Sequence, residues 1–362
     1  MKAWRMYGIN DIRLDDIPVP EVIPGWVLIK VIMLQPSVTE VQQLMGSGGG
    51  GEELEQLIKE KGPQQKFGHE FCGEVVELGE GVSDIKVGDR VFCWRRVPCK
   101  RCALCQAGFE DLCCQGPLVG SHIPGCLAEY IALPAESVAV VPDSISDAEV
   151  TALQPLMGVT SSVADTGIEM GDNVVVLGQG SMGFNVTQVS AICGAGKTIA
   201  IDVRDDLLKL ASHFGADVTI NANKTDPVKA VFEATSGVGA DVVFECAGGS
   251  PQHGLSGTKT LNQAFEMVRD GGKITQVGIL GAGAAVEVTP ISMRGLQYRG
   301  IGHCTLRVLR YTIDAVAAKR IQIEPTITHT LEGLEKVPEA FEITGNKTKY
   351  GAINPAQVII NH

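Results

Sequence analysis

The sequence predicts an α/β protein in two parts, a β-rich unit interrupted by a doubly wound parallel-sheet unit. Three observations predict it. The N-terminal third reads as short β-branched runs between turn signals, and the chain after Pro155 alternates strand with helix. From about His303 the tail then adds one helix and one short strand. At 362 residues there is chain enough for two cores, because a single core stops growing near ~250–300 residues. The expected domains are 1–156, 157–301 and a segment 302–362 that completes the first.

In order, Val27–Met33 is apolar and β-branched, and Cys72–Leu78 runs into Gly79-Glu80-Gly81. Lys86–Phe92 follows Gly-Val-Ser-Asp, and Ala128–Leu133 precedes Pro134. Short strands at this spacing suit a sandwich or barrel. Within this region Gly46–Lys66 is different in kind: a glycine run, Gly48–Gly51, then a charged stretch of helical character, Glu52–Lys61, then Gly62-Pro63. It reads as a mobile lid on a glycine hinge or as a solvated loop insertion. Later strands are expected at Asn173–Leu177, Thr198–Asp202, Asp217–Asn221, Asp241–Glu245, Lys273–Val277 and about Gln297–Gly302. Helices are expected at Ser181–Cys193, Asp205–Phe214 and Thr260–Arg269, and such alternation implies a parallel sheet covered on both faces. Leu306–Arg320 and Gln357–Ile360 are the helix and strand of the tail.

Composition narrows the function. Hydrophobic residues at 44% and charged residues at 20% are those of an ordinary globular protein. The 43 glycines are in excess, as expected where a backbone turns tightly or approaches a ligand. A net charge of −12 argues against nucleic-acid and anionic-membrane surfaces, which need a positive field. It leaves room for a small phosphate-bearing ligand held by backbone N–H groups. No apolar run reaches the ~18 residues of a membrane span, and Met1–Pro20 lacks a signal peptide's apolar stretch. A reducing cytoplasm is therefore the expected location. In that setting four of the 11 cysteines, lying close together, favour metal or catalysis over disulfides.

Gly178-Gln179-Gly180-Ser181-Met182-Gly183 follows one predicted strand and opens a helix. This is the context in which GxGxxG binds a dinucleotide. Gly178 allows the tight turn, Gly180 lets the backbone reach a pyrophosphate, and Gly183 lets helix and strand pack closely. Ser181 and Met182 bring the helix N–H donors. Asp202 ends the next strand, where a carboxylate accepts hydrogen bonds from an adenine ribose and repels a 2′-phosphate. That favours NAD over NADP, although Arg204, two residues on, could hold the phosphate, and Asp202 could be a helix cap. Thr160 is a further candidate for cofactor contact. Cys99, Cys102, Cys105 and Cys113 have the spacing C-x2-C-x2-C-x7-C of a closed structural zinc site, in a lobe spanning about 93–117. An iron–sulfur cluster or four free thiols are the alternatives.

With these motifs in this order the chain resembles the zinc-containing medium-chain dehydrogenases/reductases, the superfamily of alcohol and sorbitol dehydrogenases. The likeness extends to Gly68-His69-Glu70, Gly88-Asp89-Arg90-Val91 and Gly125-Cys126-Leu127-Ala128-Glu129-Tyr130, and spans nearly the whole length. It implies a GroES-like β-rich catalytic domain, a Rossmann NAD-binding domain and a homodimer or homotetramer. It also implies an oxidoreductase that moves hydride between nicotinamide and a secondary alcohol or ketone, cyclic ones included. The family's catalytic zinc takes a Cys, the His of Gly-His-Glu and a later Cys or Glu. Here His69 and Glu70 match, but Ser37 stands at the Cys position and Gln154 at the later one. Thr39 matches the family's proton-relay hydroxyl, and Glu40 the carboxylate that orients the His. A hydroxyl and an amide are neutral donors and weaker ligands than thiolates.

Several chemistries follow. A metal on His69, Glu70 and Gln154 polarises the alcohol while Thr39 takes its proton. Alternatively His69 or Glu70 is the base, with Thr39 and Ser37 placing the oxygen. Further options are reduction of an activated C=C bond and dinucleotide binding without catalysis. Ser37, Thr39, Gly46–Lys66 and the stretch His303–Arg310 are the expected lining of the substrate cleft, with Arg307 and Arg310 as cations for a polar substrate or as plain surface charge.

Overall fold

The computed structural model describes all residues except 47–50, 250–256, 282, 303 and 362, and only the backbone of 51–54. The chain begins with an antiparallel hairpin, β1 (Lys2–Gly8) and β2 (Asp11–Asp16). Strand β3 (Trp26–Leu34) leads into helices α1 (Val38–Leu44) and α2 (Gly51–Lys61). Next come β4 (Phe71–Leu78), β5 (Arg90–Cys93), the short helix α3 (Ala103–Gln106), β6 (Tyr130–Pro134) and β7 (Val138–Val140). Helices α4 (Asp147–Thr151) and α5 (Leu153–Thr166) follow. Then strands and helices alternate: β8 (Asn173–Leu177), α6 (Ser181–Ile192), β9 (Lys197–Asp202), α7 (Asp205–His213), β10 (Val218–Asn221), α8 (Pro227–Ala234), β11 (Ala240–Glu245), α9 (Lys259–Met267) and β12 (Val268–Gln276). The chain finishes with α10 (Thr289–Met293), β13 (Gln297–Arg299), α11 (Leu306–Ala317), β14 (Thr330–Glu332), α12 (Val337–Gly345), α13 (Lys347–Tyr350) and β15 (Gln357–Ile359).

Two compact units result, Met1–Pro155 with Thr305–His362, and Leu156–Cys304. In the first, a sheet runs β14-β15-β3-β4-β5-β7, with β6 also on β3. Its neighbours are antiparallel except β14 and β15. Ile29, Phe71, Leu127, Ile131 and Val358 fill the core beneath it, each at 1% exposure or less. Each such side chain contributes about 1.5–3 kcal/mol by leaving water. In the second unit six parallel strands run β10-β9-β8-β11-β12-β13. Val174–Leu177 on β8 is buried throughout, as a strand covered on both faces must be. The strand order reverses between β8 and β11, and the crevice outside the C-terminal ends of these two strands is where such sheets bind ligands.

Some elements differ from expectation for local reasons. Only the second half of Lys86–Phe92 is a strand. Asp89 accepts the Lys86 N–H at 2.7 Å and returns its own N–H to the Lys86 carbonyl, which fixes a turn. The strand expected over Gln297–Gly302 stops at Arg299, since the Gly302 N–H turns to Ser162 Oγ at 3.0 Å. The expected helix Leu306–Arg320 ends at Ala317, with Lys319 left-handed at φ 54°. Conversely, α5 was not foreseen. Pro155 reads as a boundary but sits in the first helical turn, where a missing N–H costs nothing.

The helical half of the Gly46–Lys66 insertion is docked. Ile58 packs on the first core, and Met6 and Gln64 exchange backbone hydrogen bonds of 2.7 and 3.1 Å. The glycines at 48–50 lie outside the described residues. No helix of the described residues is long and apolar enough to cross a membrane.

Candidate active site and metal centre

In the second unit the glycine turn lies between β8 and α6. Gly178 has φ +86°, and a Cβ there would meet Ala247 at 3.0 Å. A Cβ on Gly183 would lie 1.7 Å from the Gly178 carbonyl oxygen, so only glycine lets α6 sit this close to β8. At Gly180 nothing lies within 4 Å, which leaves the space a pyrophosphate needs. Gly180 caps α6 without a side chain, so its first N–H groups and positive dipole end face that space. Ser181 and Met182 are half-buried in this first turn.

Asp202, half-buried at the end of β9, accepts the Gln179 N–H at 2.6 Å and the Val203 and Arg204 N–H groups at 2.7 and 2.9 Å. Its carboxylate is thus fixed against the glycine turn. The Arg204 guanidinium instead pairs with Asp206 at 2.6 Å. Thr160 is buried in α5, its hydroxyl donating to the Leu156 and Met157 carbonyls at 3.2 and 3.1 Å. The turn and its carboxylate fit a dinucleotide.

In the first unit the four sulfurs of Cys99, Cys102, Cys105 and Cys113 lie within 4.8 Å of one another. Cys99 Sγ is 4.0 Å from Cys105 Sγ, and Cys102 Sγ 3.9 Å from Cys113 Sγ. A tetrahedron with Zn–S bonds of ~2.3 Å has edges of about 3.8 Å, so the sulfurs already mark its corners. Backbone N–H groups point at them: Cys102 to Cys99 Sγ at 3.3 Å, and Cys99 and Gly116 to Cys113 Sγ at 3.3 and 3.1 Å. The Cys105 N–H draws the Cys102 thiol down to about 6, while burial and the neighbouring sulfurs push Cys105 up to about 12. Sulfurs this close resist carrying several charges at once, a repulsion that a divalent cation relieves. The donor set fits zinc.

The Gly68-His69-Glu70 centre, also in the first unit, is built differently. Gly68 has φ +86°, and a Cβ would clash with the Cys126 backbone at 2.7 Å. This sharp turn delivers His69 and Glu70 to a buried position, each 4% exposed. Glu40, buried on α1, accepts His69 Nδ1 at 2.8 Å, the Gly68 N–H at 2.7 Å and the Ser37 N–H at 2.9 Å. Burial alone would raise the Glu40 carboxyl, but the His69 ring and these donors outweigh it and hold it below the ordinary range. On the other side, Glu70 Oε1 is 3.8 Å from His69 Nε2. Burial, reinforced by Glu40 and only partly offset by His69, raises the Glu70 carboxyl. Half-buried Lys347 on α13 adds a cation, drawn down to about 8 by burial against the pull of Glu70.

The remaining expected residues are placed as follows. Ser37 is the N-cap of α1, its hydroxyl accepting the Glu40 N–H at 3.2 Å in a reciprocal capping box. Thr39 is half-buried in the first turn of α1, and Gln154 half-buried in the first turn of α5. Arg307 and Arg310 are exposed on α11, and His303 lies outside the described residues. Among the described residues, the four cysteines are the one group of three or more His, Cys, Asp or Glu donors gathered within metal reach. No such group of His, Cys, Asp and Glu donors is gathered around His69 among the described residues.

Sequence reading missed Gln35 and Lys347. Gln35 Nε2 donates to Glu70 Oε2 at 2.5 Å, and Gln35 Oε1 accepts from Asn354 and Gln357 at 2.9 and 3.0 Å. The only signal was a glutamine directly after the largely apolar strand β3.

Residues 23–143 match the alcohol dehydrogenase GroES-like domain family, and residues 181–318 the zinc-binding dehydrogenase family. The L-threonine 3-dehydrogenase of Pyrococcus abyssi is 32% identical over 345 residues, covering 95% of this chain and 94% of that protein. The chain therefore belongs to the zinc-type medium-chain dehydrogenase/reductase superfamily. A dehydrogenase of Sinorhizobium meliloti 1021, described as zinc-binding and solved bound to NADP, is 28% identical with a TM-score of 0.82, covering 99% and 98% of the two chains. The 2R,3R-butanediol dehydrogenase of Bacillus subtilis is 25% identical with a TM-score of 0.82, covering 99% of each chain.

Proposed function

We propose that this protein oxidises a small polar secondary alcohol to its ketone with NAD, and catalyses the reverse reduction. The observation that carries the reading is the His69 imidazole. Its Nδ1–H is fixed on the buried Glu40 carboxylate, which leaves the Nε2 lone pair free to take a proton. A bound nicotinamide supplies the hydride acceptor. As the C–H bond electrons leave as hydride, His69 Nε2 takes the hydroxyl proton and the C=O bond forms. Glu40 stabilises the imidazolium that results, and Thr39, half-buried nearby in sequence on α1, places the oxygen. The two relatives named for their substrates, L-threonine 3-dehydrogenase and 2R,3R-butanediol dehydrogenase, support a secondary hydroxyl beside a polar substituent.

Asp202 supports NAD over NADP. Its carboxylate is held at the glycine turn where a ribose 2′-phosphate would be repelled, and Arg204 is paired away with Asp206. The test is the absorbance of reduced nicotinamide over a panel of secondary alcohols that includes L-threonine and 2,3-butanediol. Turnover with NAD well above NADP is expected, and Asp202→Ala should narrow that preference by about tenfold or more. Dinucleotide binding with no turnover anywhere on the panel would sink the reading in favour of a non-catalytic binding protein.

A further inference from the structure

We infer that this chain carries a single zinc, in its four-cysteine lobe, and that the acid–base chemistry at His69 proceeds on side chains alone. The inference rests on the dehydrogenase reading above and concerns how that centre is built. A catalytic zinc needs three protein donors converging on one point and an open fourth position. Of the candidate donors, the Ser37, Glu40 and Glu70 side chains are each held in hydrogen bonds. The Ser37 hydroxyl receives the Glu40 N–H, and as a neutral oxygen it lacks the charge a thiolate would bring. Glu40 holds three N–H donors, including His69 Nδ1.

Glu70 is tied by Gln35, and the direction of the Gln35 amide is fixed in turn. Its Oε1 accepts two N–H groups, from Asn354 and Gln357, so its Nε2 must face Glu70. Turning the amide over would set donors against donors on one side and an oxygen against a carboxylate on the other. Gln357 is itself anchored to the Ala148 carbonyl at 2.8 Å. The result is a buried chain of side chains reaching from β15 to Glu70. Two further thiols lie close by, and each donates to a backbone carbonyl: Cys93 Sγ to that of His69 and Cys126 Sγ to that of Glu70, at 3.5 and 3.9 Å.

Zinc counting on the intact full-length protein by native mass spectrometry, purified without chelator and supplied with zinc, tests this. The expected result is about one zinc per chain, kept in His69→Ala and lost in Cys105→Ser. Because Cys105→Ser could misfold, cobalt titration of the metal-stripped wild type gives a second readout. Saturation at about one cobalt, with a thiolate-to-metal charge-transfer band, is expected. Two metals per chain in either measurement, or one that disappears in His69→Ala, would overturn the inference. The count is independent of turnover. A protein with one zinc but no dehydrogenase activity refutes the functional reading, while an active protein with two zincs refutes this inference alone.

Discussion

The four-cysteine lobe and the His69 centre lie in the same unit and are both rich in metal-ligating residue types, yet they are organised in opposite ways. In the lobe the donors face one another, with four sulfurs at the corners of a tetrahedron and backbone N–H groups supporting their charge. Around His69 the donors face each other's protons: Glu40 takes Nδ1–H, Gln35 gives to Glu70, and Ser37 caps α1. The first arrangement needs a cation to neutralise it. In the second, the carboxylates and the Ser37 hydroxyl are already hydrogen-bonded. Residue type alone therefore does not identify a metal site; what matters is whether each donor retains a lone pair aimed at a common point.

The largest expected effect comes from breaking the lobe. Structural zinc contributes about 10–16 kcal/mol in small zinc-folded peptides. Cys105→Ser should lower the thermal midpoint by at least about 10 °C by calorimetry, at ~2–4 °C per kcal/mol for a domain this size. A midpoint within a degree or two of wild type would mean that the lobe stands without its metal. Breaking the other centre should do the reverse, with a large effect on rate and a small one on stability. His69→Ala is expected to cut kcat by about 10²–10⁴-fold while the KM for NAD stays put. An unchanged kcat would remove His69 from proton transfer.

The two centres were also unequally legible from sequence. The cysteines could be read because all four ligands fall within one short loop, so spacing nearly fixes geometry. The glycine turn was legible for the same reason, and Asp202 followed from the length of one βαβ unit. The His69 centre draws on β3, α1, the 68–70 turn and the C-terminal segment around Asn354 and Gln357, and no local pattern reports contacts across such separations. Helix α5 escaped because its Pro, Gly, Ser and Thr read as breakers, whereas its Ser and Thr hydroxyls bond back to its own carbonyls.

A finer test compares the two carboxylates flanking His69. Glu40 is held below its ordinary range, so its contribution to stability is present above the unfolded value of about 4.3 and is lost as pH falls through the folded one. Glu70 is raised, so the fold is favoured below about 4.3 and loses that advantage as pH rises through the folded value. Denaturant titrations across the acid range should show Glu40→Gln flattening the acid-side loss. Glu70→Gln should remove a decline on the other limb and leave the protein no less stable at neutral pH. If both substitutions bend the profile the same way, the two carboxylates do not divide the imidazole as described.

The smallest expected effect separates a cap from a ligand at Ser37. Its hydroxyl satisfies one of the open N–H groups of α1, and Glu40 returns the favour through the Ser37 N–H. Losing such a cap costs about 1 kcal/mol. Ser37→Ala should therefore lower the thermal midpoint by about 2–4 °C and leave the zinc count alone. Activity should fall modestly, because the same capping box fixes the backbone from which Glu40 reaches His69. Ser37→Asp, another good cap, should restore most of the stability, whereas a ligand position would answer to an added carboxylate by binding more metal. A rise in bound zinc in Ser37→Asp would show that the donors around His69 can still be turned toward a common point. The contrast between the two centres would then be one of degree, set by a single cap.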